Sequence, residues 1–143
     1  MESKTRDTSP TPPAPVAAPR RRRVLVVDDN EEAAEALAML LDLVGHDVAT
    51  AGDGRRALEL AREMRPDTML CDIDLPDMSG YDLARAVRED ASAAGVFLVA
   101  LSGYTWERDR ALALEAGFDL HLAKPVDPDR LERMLAGEYP PRA

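Results

Sequence analysis

Short apolar runs alternate with longer amphipathic stretches along most of this chain. Five of the runs have the length of buried strands, and they cover residues 24–27, 48–51, 68–71, 96–101 and 120–123. Apolar runs without polar alternation are typical of parallel strands that are buried on both faces. The stretches between them have apolar residues at helical spacing. The pattern therefore predicts five βα units and an α/β fold with a parallel sheet.

Each predicted helix has an apolar face, and several have a residue suited to cap their first turn. Asp29 or Asn30 can cap the first helix, Asp53 the second, and Asp127 the fifth, where Pro128 follows. In chain order, the five helices carry Ala34, Leu37, Ala38, Leu41 and Val44; Ala57, Leu58, Ala61 and Met64; Leu83, Ala86 and Val87; Ala111, Leu114 and Glu115; Leu131, Met134 and Leu135.

The two ends of the chain lack this pattern. Residues 1–22 hold five of the eleven prolines and show no apolar periodicity, so we expect a disordered tail. Where the tail meets the domain, Arg20 to Arg23 are interpreted as a solvated flank. A single domain is predicted over residues 23–137, followed by a short tail over 138–143.

Charge and composition narrow the function. Residues 1–23 hold six basic and two acidic residues, a net +4, whereas the other 120 residues hold 12 basic and 25 acidic, a net −13. The negative charge of these 120 residues argues against nucleic-acid binding and suits cations or basic partners. The chain shows neither a membrane-spanning run nor a secretory signal. Its single cysteine, Cys71, is interpreted as a core residue and suits a cytoplasmic setting.

Polar residues follow four of the predicted strands directly. Asp28 and Asp29 follow the first, Asp72 the third, Ser102 the fourth and Lys124 the fifth. Because right-handed crossovers bring the carboxyl ends of parallel strands to one edge, these side chains are expected to meet in a crevice. Taken singly, each has an ordinary explanation as a helix cap, a strand end or a surface lysine. Four such coincidences at the ends of four of the five strands are much less probable than one.

The chemistry of this set points to phosphoryl transfer. Converging carboxylates repel one another, so they must bind a cation or take up protons. Oxygen ligands without His or Cys favour a hard cation such as Mg²⁺. Lys124 and Ser102 add a positive charge and a hydroxyl, which match the oxygens of a phosphoryl group. Asp72 is then the natural nucleophile, forming an acyl phosphate.

Four segments together resemble the receiver domain of two-component response regulators. They are residues 24–30, residues 70–76 with Gly80, residues 100–103, and Lys124-Pro125, and the similarity runs from about Arg23 to Leu135. The resemblance implies a flavodoxin-like three-layer sandwich with strand order 2-1-3-4-5, the order that receivers share with flavodoxin.

The resemblance also implies a role for each acidic residue. Asp72 would be phosphorylated. Asp29 would bind Mg²⁺ directly, Asp28 mainly through water, and Asp74 through its backbone carbonyl. The side chains of Asp74 and Tyr104 would flank the phosphoryl group and tune its lifetime.

Three further positions carry implied roles. Lys124 would pair with the phosphoryl oxygens and precede a cis peptide bond to Pro125. Ser102 would move towards the phosphate and carry the signal. His121 stands where many receivers have Tyr or Phe, as in the receivers of hybrid sensor kinases. We hypothesise that it acts as a weaker switch, the alternative being a strand residue without that role.

The implied partners are proteins. The donor would be a histidine kinase or histidine phosphotransfer protein, and a downstream protein would contact the face formed by the fourth helix, fifth strand and fifth helix. Only eight residues follow Leu135, so we expect a stand-alone receiver or a receiver module excised from a hybrid histidine kinase. Such a module is a phosphoacceptor switch rather than an enzyme.

A haloacid-dehalogenase-like phosphatase is the alternative from another class. Its Asp-x-Asp motif matches Asp72-Ile73-Asp74, and it also uses an aspartyl phosphate with Mg²⁺. Pro76 departs from that motif, which has Thr or Val there. The order is also reversed, because in that family the nucleophile precedes the acidic pair.

Overall fold

The computed structural model describes residues 21–103 and 107–138, and Tyr104 lies outside them. Five strands and five helices alternate in these residues. The strands are β1 (Arg23–Val27), β2 (Asp47–Ala51), β3 (Thr68–Asp72), β4 (Phe97–Ser102) and β5 (Leu120–Ala123). The helices are α1 (Glu31–Leu43), α2 (Gly54–Met64), α3 (Gly80–Glu89), α4 (Glu107–Ala116) and α5 (Pro128–Arg133), followed by a π-helical turn over Met134–Glu138.

The strands form one parallel sheet in the order β2-β1-β3-β4-β5, which confirms the predicted fold class and strand order. Residues of α2, α3 and α4 pack on one face of the sheet, and residues of α1 and α5 pack on the other. The result is a three-layer sandwich whose two cores share the central strands.

The inner strand β1 shows why the apolar runs are continuous. Leu25 and Val27 face the core on the side of α2 and α3, while Val24 and Val26 face the core on the side of α1 and α5. All four side chains are buried. Because successive side chains of a strand point to opposite faces, a strand covered on both faces needs apolar residues throughout.

Two of the sequence predictions need correction. On α4, Ala113 and Ala116 are buried, whereas the three residues predicted on its inward face are exposed: Ala111, Leu114 (53% exposed) and Glu115. Small side chains at this contact let the helix approach closely, and the leucine is turned outward. The fourth strand begins at Phe97 rather than Val96, because the Val96 amide donates to the Ala93 carbonyl in the preceding turn.

Arg21 and Arg22, which the sequence places in the tail, contact the domain at the amino-terminal edge of the sheet. Arg21 pairs with Asp47, and the Arg22 amide donates to Nδ1 of His46 at 3.0 Å. His46, the residue before β2, is only 2% exposed. Among the described helices, none is long and apolar enough to cross a bilayer.

Gly80 closes the loop that follows β3. Its amide donates to the Ile73 carbonyl at 2.6 Å, and a Cβ at this position would lie 2.8 Å from the Asp72 carbonyl oxygen and the Ile73 Cα. Both neighbours are backbone atoms that cannot move independently of the strand. The glycine therefore allows the start of α3 to pack directly against the end of β3.

We expect Gly80→Ala to lower the free energy of unfolding by about 1–3 kcal/mol, because the added methyl overpacks a backbone contact. Urea denaturation followed by circular dichroism measures this. Gly95→Ala is the matched control, since a Cβ there meets nothing within 4 Å. Equal midpoints for the two variants would show that the close approach does not constrain the loop.

Candidate functional site

The polar residues at the strand ends do meet at one edge of the sheet. Asp28 directly follows β1, and Asp72 is the last residue of the neighbouring strand β3. Ser102 ends β4, and its carbonyl accepts a 2.9 Å hydrogen bond from the amide of Lys124, which follows β5. Parallel pairing of these four strands thus places the two aspartates, the serine and the lysine side by side.

Lys124 lies between two buried carboxylates. Its Nζ is 3.2 Å from Oδ2 of Asp72 and 3.3 Å from Oδ2 of Asp28. The aspartates are 7% and 5% exposed, whereas the lysine side chain retains 34% of its exposure. The ammonium therefore bridges the carboxylates from the solvent side.

Asp28, Asp29 and Asp72 form an acidic cluster. One carboxylate oxygen from each lies within 4.8 Å of the others, and Asp29 is the exposed member. Three carboxylates and the Lys124 ammonium sum to a formal charge of −2, which a divalent cation would neutralise. All donors are oxygen atoms, as Mg²⁺ prefers, so the residues fit this ion.

The close approach of charged groups and their burial shift the pKa values of Asp72 and Lys124. Burial raises the pKa of Asp72, while the Asp74 amide and Lys124 act in the opposite direction and Asp28 adds to the rise. Burial lowers the pKa of Lys124, but Asp72 and Asp28 more than offset this, so its pKa is raised. The crevice thus favours a bound cation, and its lysine is charged at neutral pH.

The loop after β3 contacts the acidic cluster through a backbone amide. The Asp74 amide donates to Oδ1 of Asp72 at 3.2 Å, so the two oxygens of that carboxylate have different partners. Asp74 also forms an isolated antiparallel bridge with Ser79. Its own side chain is exposed. The predicted site residue Asp74 therefore lies beside Asp72 through its backbone.

Three other residues discussed from the sequence lie on the strands that form the site. Ser102 is buried at the end of β4, and His121 is half-buried on β5, in register with Ala100. Cys71 is 1% exposed, and burial raises the pKa of its thiol far above the ordinary value. This confirms that Cys71 is a core residue.

Comparison with known proteins decides the family. A family model described as the response regulator receiver domain matches residues 24–136. The chain belongs to this family. It is a response regulator receiver domain of two-component systems. The order of strands, the acidic cluster and the lysine after β5 agree with this assignment, and the phosphatase alternative has no support from the match.

Individual receivers show how far the similarity extends. The DNA-binding response regulator MtrA of Mycobacterium tuberculosis is 44% identical over 98 residues, which are 68% of this chain but only 42% of MtrA. The chemotaxis response regulator CheY4 of Vibrio cholerae has a TM-score of 0.76 at 29% identity, covering 81% of this chain and 97% of that one. The chain therefore spans about two fifths of its DNA-binding relative and nearly all of CheY4.

One structural neighbour bears on the cation. The receiver domain of sensor histidine kinase PA1611 from Pseudomonas aeruginosa has a TM-score of 0.73 at 31% identity, covering 81% of this chain and 95% of that receiver. That structure holds a magnesium ion in its active site cleft. A receiver of the same fold thus binds the ion that the acidic cluster here would fit.

Sequence reasoning missed one residue near the receiver site. Asp77 accepts hydrogen bonds from the backbone amides of Gly54 and Arg55 at the start of α2. Its partners lie 22 and 23 residues earlier in the chain, so no local pattern could have indicated the contact.

Proposed function

We propose that Asp72 accepts a phosphoryl group from the phosphohistidine of a histidine kinase or histidine phosphotransfer protein. A carboxylate oxygen of Asp72 forms a bond to phosphorus as the bond between phosphorus and the donor imidazole nitrogen breaks. The product is an acyl phosphate on the protein and a free imidazole on the donor. The observation that carries this proposal is the position of Lys124 Nζ between the carboxylates of Asp72 and Asp28.

The residues around Asp72 would serve the transfer as follows. When bound, Mg²⁺ would be held by Asp28, Asp29, Asp72 and the Asp74 carbonyl, and it supplies neutralisation of phosphoryl charge. Lys124 is already within ion-pair distance of Asp72, so its ammonium can also contact the oxygens of a phosphoryl group on that carboxylate. The Asp74 amide orients the accepting carboxylate through Oδ1.

The protein would act as a switch that carries one phosphoryl group, in a cytoplasmic setting that suits its single cysteine. Asp74 and Tyr104 would tune the lifetime of the acyl phosphate. The face of α4, β5 and α5 would contact a downstream protein. This chemistry is the same whether the receiver acts alone or within a hybrid kinase.

Ser102 and His121 would report the phosphorylated state to that face. Ser102 ends β4 beside the site, and His121 lies on the adjacent strand β5. We expect His121→Ala to weaken the binding of the downstream partner to the phosphorylated form, leaving phosphoryl uptake intact. Calorimetric titration of the phosphorylated variant measures this, and unchanged affinity would assign His121 no switching role.

Phosphoryl uptake tests the proposed function itself. Incubation with Mg²⁺ and a small phosphodonor, followed by intact mass, should show one added phosphoryl group per chain. The same reaction with a chelator should show almost none, because the carboxylate cluster then lacks its counterion. Absence of uptake at saturating Mg²⁺ would contradict the proposal, as would sustained turnover of added phosphoesters.

A further inference from the structure

The loop between β3 and α3 caps a helix that is distant in sequence. Oδ1 of Asp77 accepts a 2.8 Å hydrogen bond from the Gly54 amide, and Oδ2 accepts a 3.0 Å bond from the Arg55 amide. These are amides of the first turn of α2, which have no partner within the helix. The helix's own cap, Asp53, binds a different amide, that of Arg56. Two carboxylates thus share one helix end.

Packing reinforces this contact on the next residue of the loop. A Cβ at Gly54 would lie 2.5 Å from Cγ of Met78, so the absence of a side chain at Gly54 lets the methionine seat against the helix. Gly54 is buried by this arrangement. We refer to the contacts of Asp77 and Met78 with the start of α2 as the α2 latch.

The same loop reaches the phosphoacceptor at its other end. Asp74 donates its amide to Asp72 and pairs with Ser79 across the base of the loop. Below that bridge, the Gly80 amide donates to Ile73 at 2.6 Å. The loop is therefore held at its base beside the acidic cluster and at its tip on α2.

We propose that the α2 latch is a positioning device for the metal and phosphoryl site, with Asp77 as its main residue. By fixing the exposed tip of the loop, it holds the backbone of Asp74 in the orientation that serves Asp72 and the cation. An unlatched loop would have to be ordered each time the cation binds, which costs conformational entropy. This inference rests on the proposed function, because it assigns the loop a role in cation binding.

The Asp77 contact is suited to persist under the conditions of signalling. The amide of Gly54 lowers the pKa of Asp77, and that of Arg55 lowers it further. The side chain is therefore ionised throughout the neutral range. Its negative charge lies at the amino terminus of α2, where the helix dipole stabilises it. The two hydrogen bonds of Asp77 in the latch are therefore charge-assisted at neutral pH.

Asp77→Ala is compared with Asp53→Ala by titrating each full-length protein with MgCl₂ in a calorimeter. Each substitution removes one carboxylate and one cap from the same end of α2. Asp53 caps α2 through the Arg56 amide, so its loss leaves the contacts of Asp77 with Gly54 and Arg55 in place. Urea midpoints of both variants report the loss of stability from the missing cap.

We expect Asp77→Ala to weaken Mg²⁺ binding about 10-fold, because the loop that carries the Asp74 carbonyl then has to be ordered when the cation binds. Asp53→Ala should bind Mg²⁺ nearly as the unsubstituted protein does. Gly54→Ala should act in the same direction as Asp77→Ala, because its methyl displaces Met78 without any change of charge. The atoms nearest to the added methyl belong to the flexible Met78 side chain, not to backbone as at Gly80, so the variant is expected to fold.

Equal Mg²⁺ affinities for Asp77→Ala and Asp53→Ala would overturn the latch, leaving Asp77 a simple helix cap. If Asp77→Ala does not fold, Gly54→Ala decides the matter by the same titration, and an unchanged affinity overturns the latch. Failure of the unsubstituted protein to bind Mg²⁺ would be a different result. It would overturn the proposed function and the latch with it.

Discussion

Asp72→Asn is expected to abolish phosphoryl uptake while the protein remains folded. An amide oxygen can still accept the hydrogen bond from Asp74, but it is not a nucleophile towards phosphorus. Loss of one buried charge also relieves the repulsion with Asp28 that contributes to the raised pKa of Asp72. Intact mass after reaction with Mg²⁺ and a small phosphodonor measures the effect.

Asp74→Asn is the matched control for that result. It removes a carboxylate two residues away whose side chain is exposed, and its backbone contact with Asp72 remains available. This variant should still take up one phosphoryl group. Persistent uptake by Asp72→Asn, or its loss from Asp74→Asn alone, would place the acceptor elsewhere.

Lys124→Ala is expected to lower the initial rate of phosphoryl uptake about 100-fold, since a positioned donor to the transferring oxygens is removed. Without Mg²⁺ the variant should also be less stable, because Asp28 and Asp72 lose the cation that they share. Rates come from intact mass over time, and stabilities from urea midpoints with and without Mg²⁺.

Lys124→Arg separates charge from geometry in this position. The guanidinium retains the positive charge but is planar and larger than the ammonium. We expect it to restore most of the stability and only part of the rate. If Lys124→Ala reacts as fast as the unsubstituted protein, the lysine has no part in phosphoryl transfer.

The sheet could be predicted from sequence because its strands are covered on both faces. The runs around Leu25, Leu70 and Val99 are apolar throughout, and their carboxyl ends carry the polar residues of the site. The order of the strands could not be predicted from their apolar pattern. It followed from the resemblance to receivers, since spacing along the chain does not determine which strands are neighbours.

The helices show where periodicity fails. On α4, alanines rather than leucines form the buried face, so hydrophobicity alone pointed Leu114 the wrong way. His46 is buried, and its Nδ1 accepts a hydrogen bond from the Arg22 amide, a contact across 24 residues. Asp77 was missed for the same reason. Such contacts depend on the tertiary fold, and no local sequence pattern indicates them.

The claim that Asp72 is the phosphoacceptor is tested most directly by mapping the modified residue. Borohydride reduces an acyl phosphate to an alcohol, so phosphorylated aspartate becomes homoserine, which peptide mass spectrometry locates. After reaction with Mg²⁺ and a phosphodonor, we predict homoserine at position 72, and none after reaction with a chelator. Homoserine at Asp28, Asp29 or Asp74 instead, or at no position despite saturating Mg²⁺, would contradict the claim.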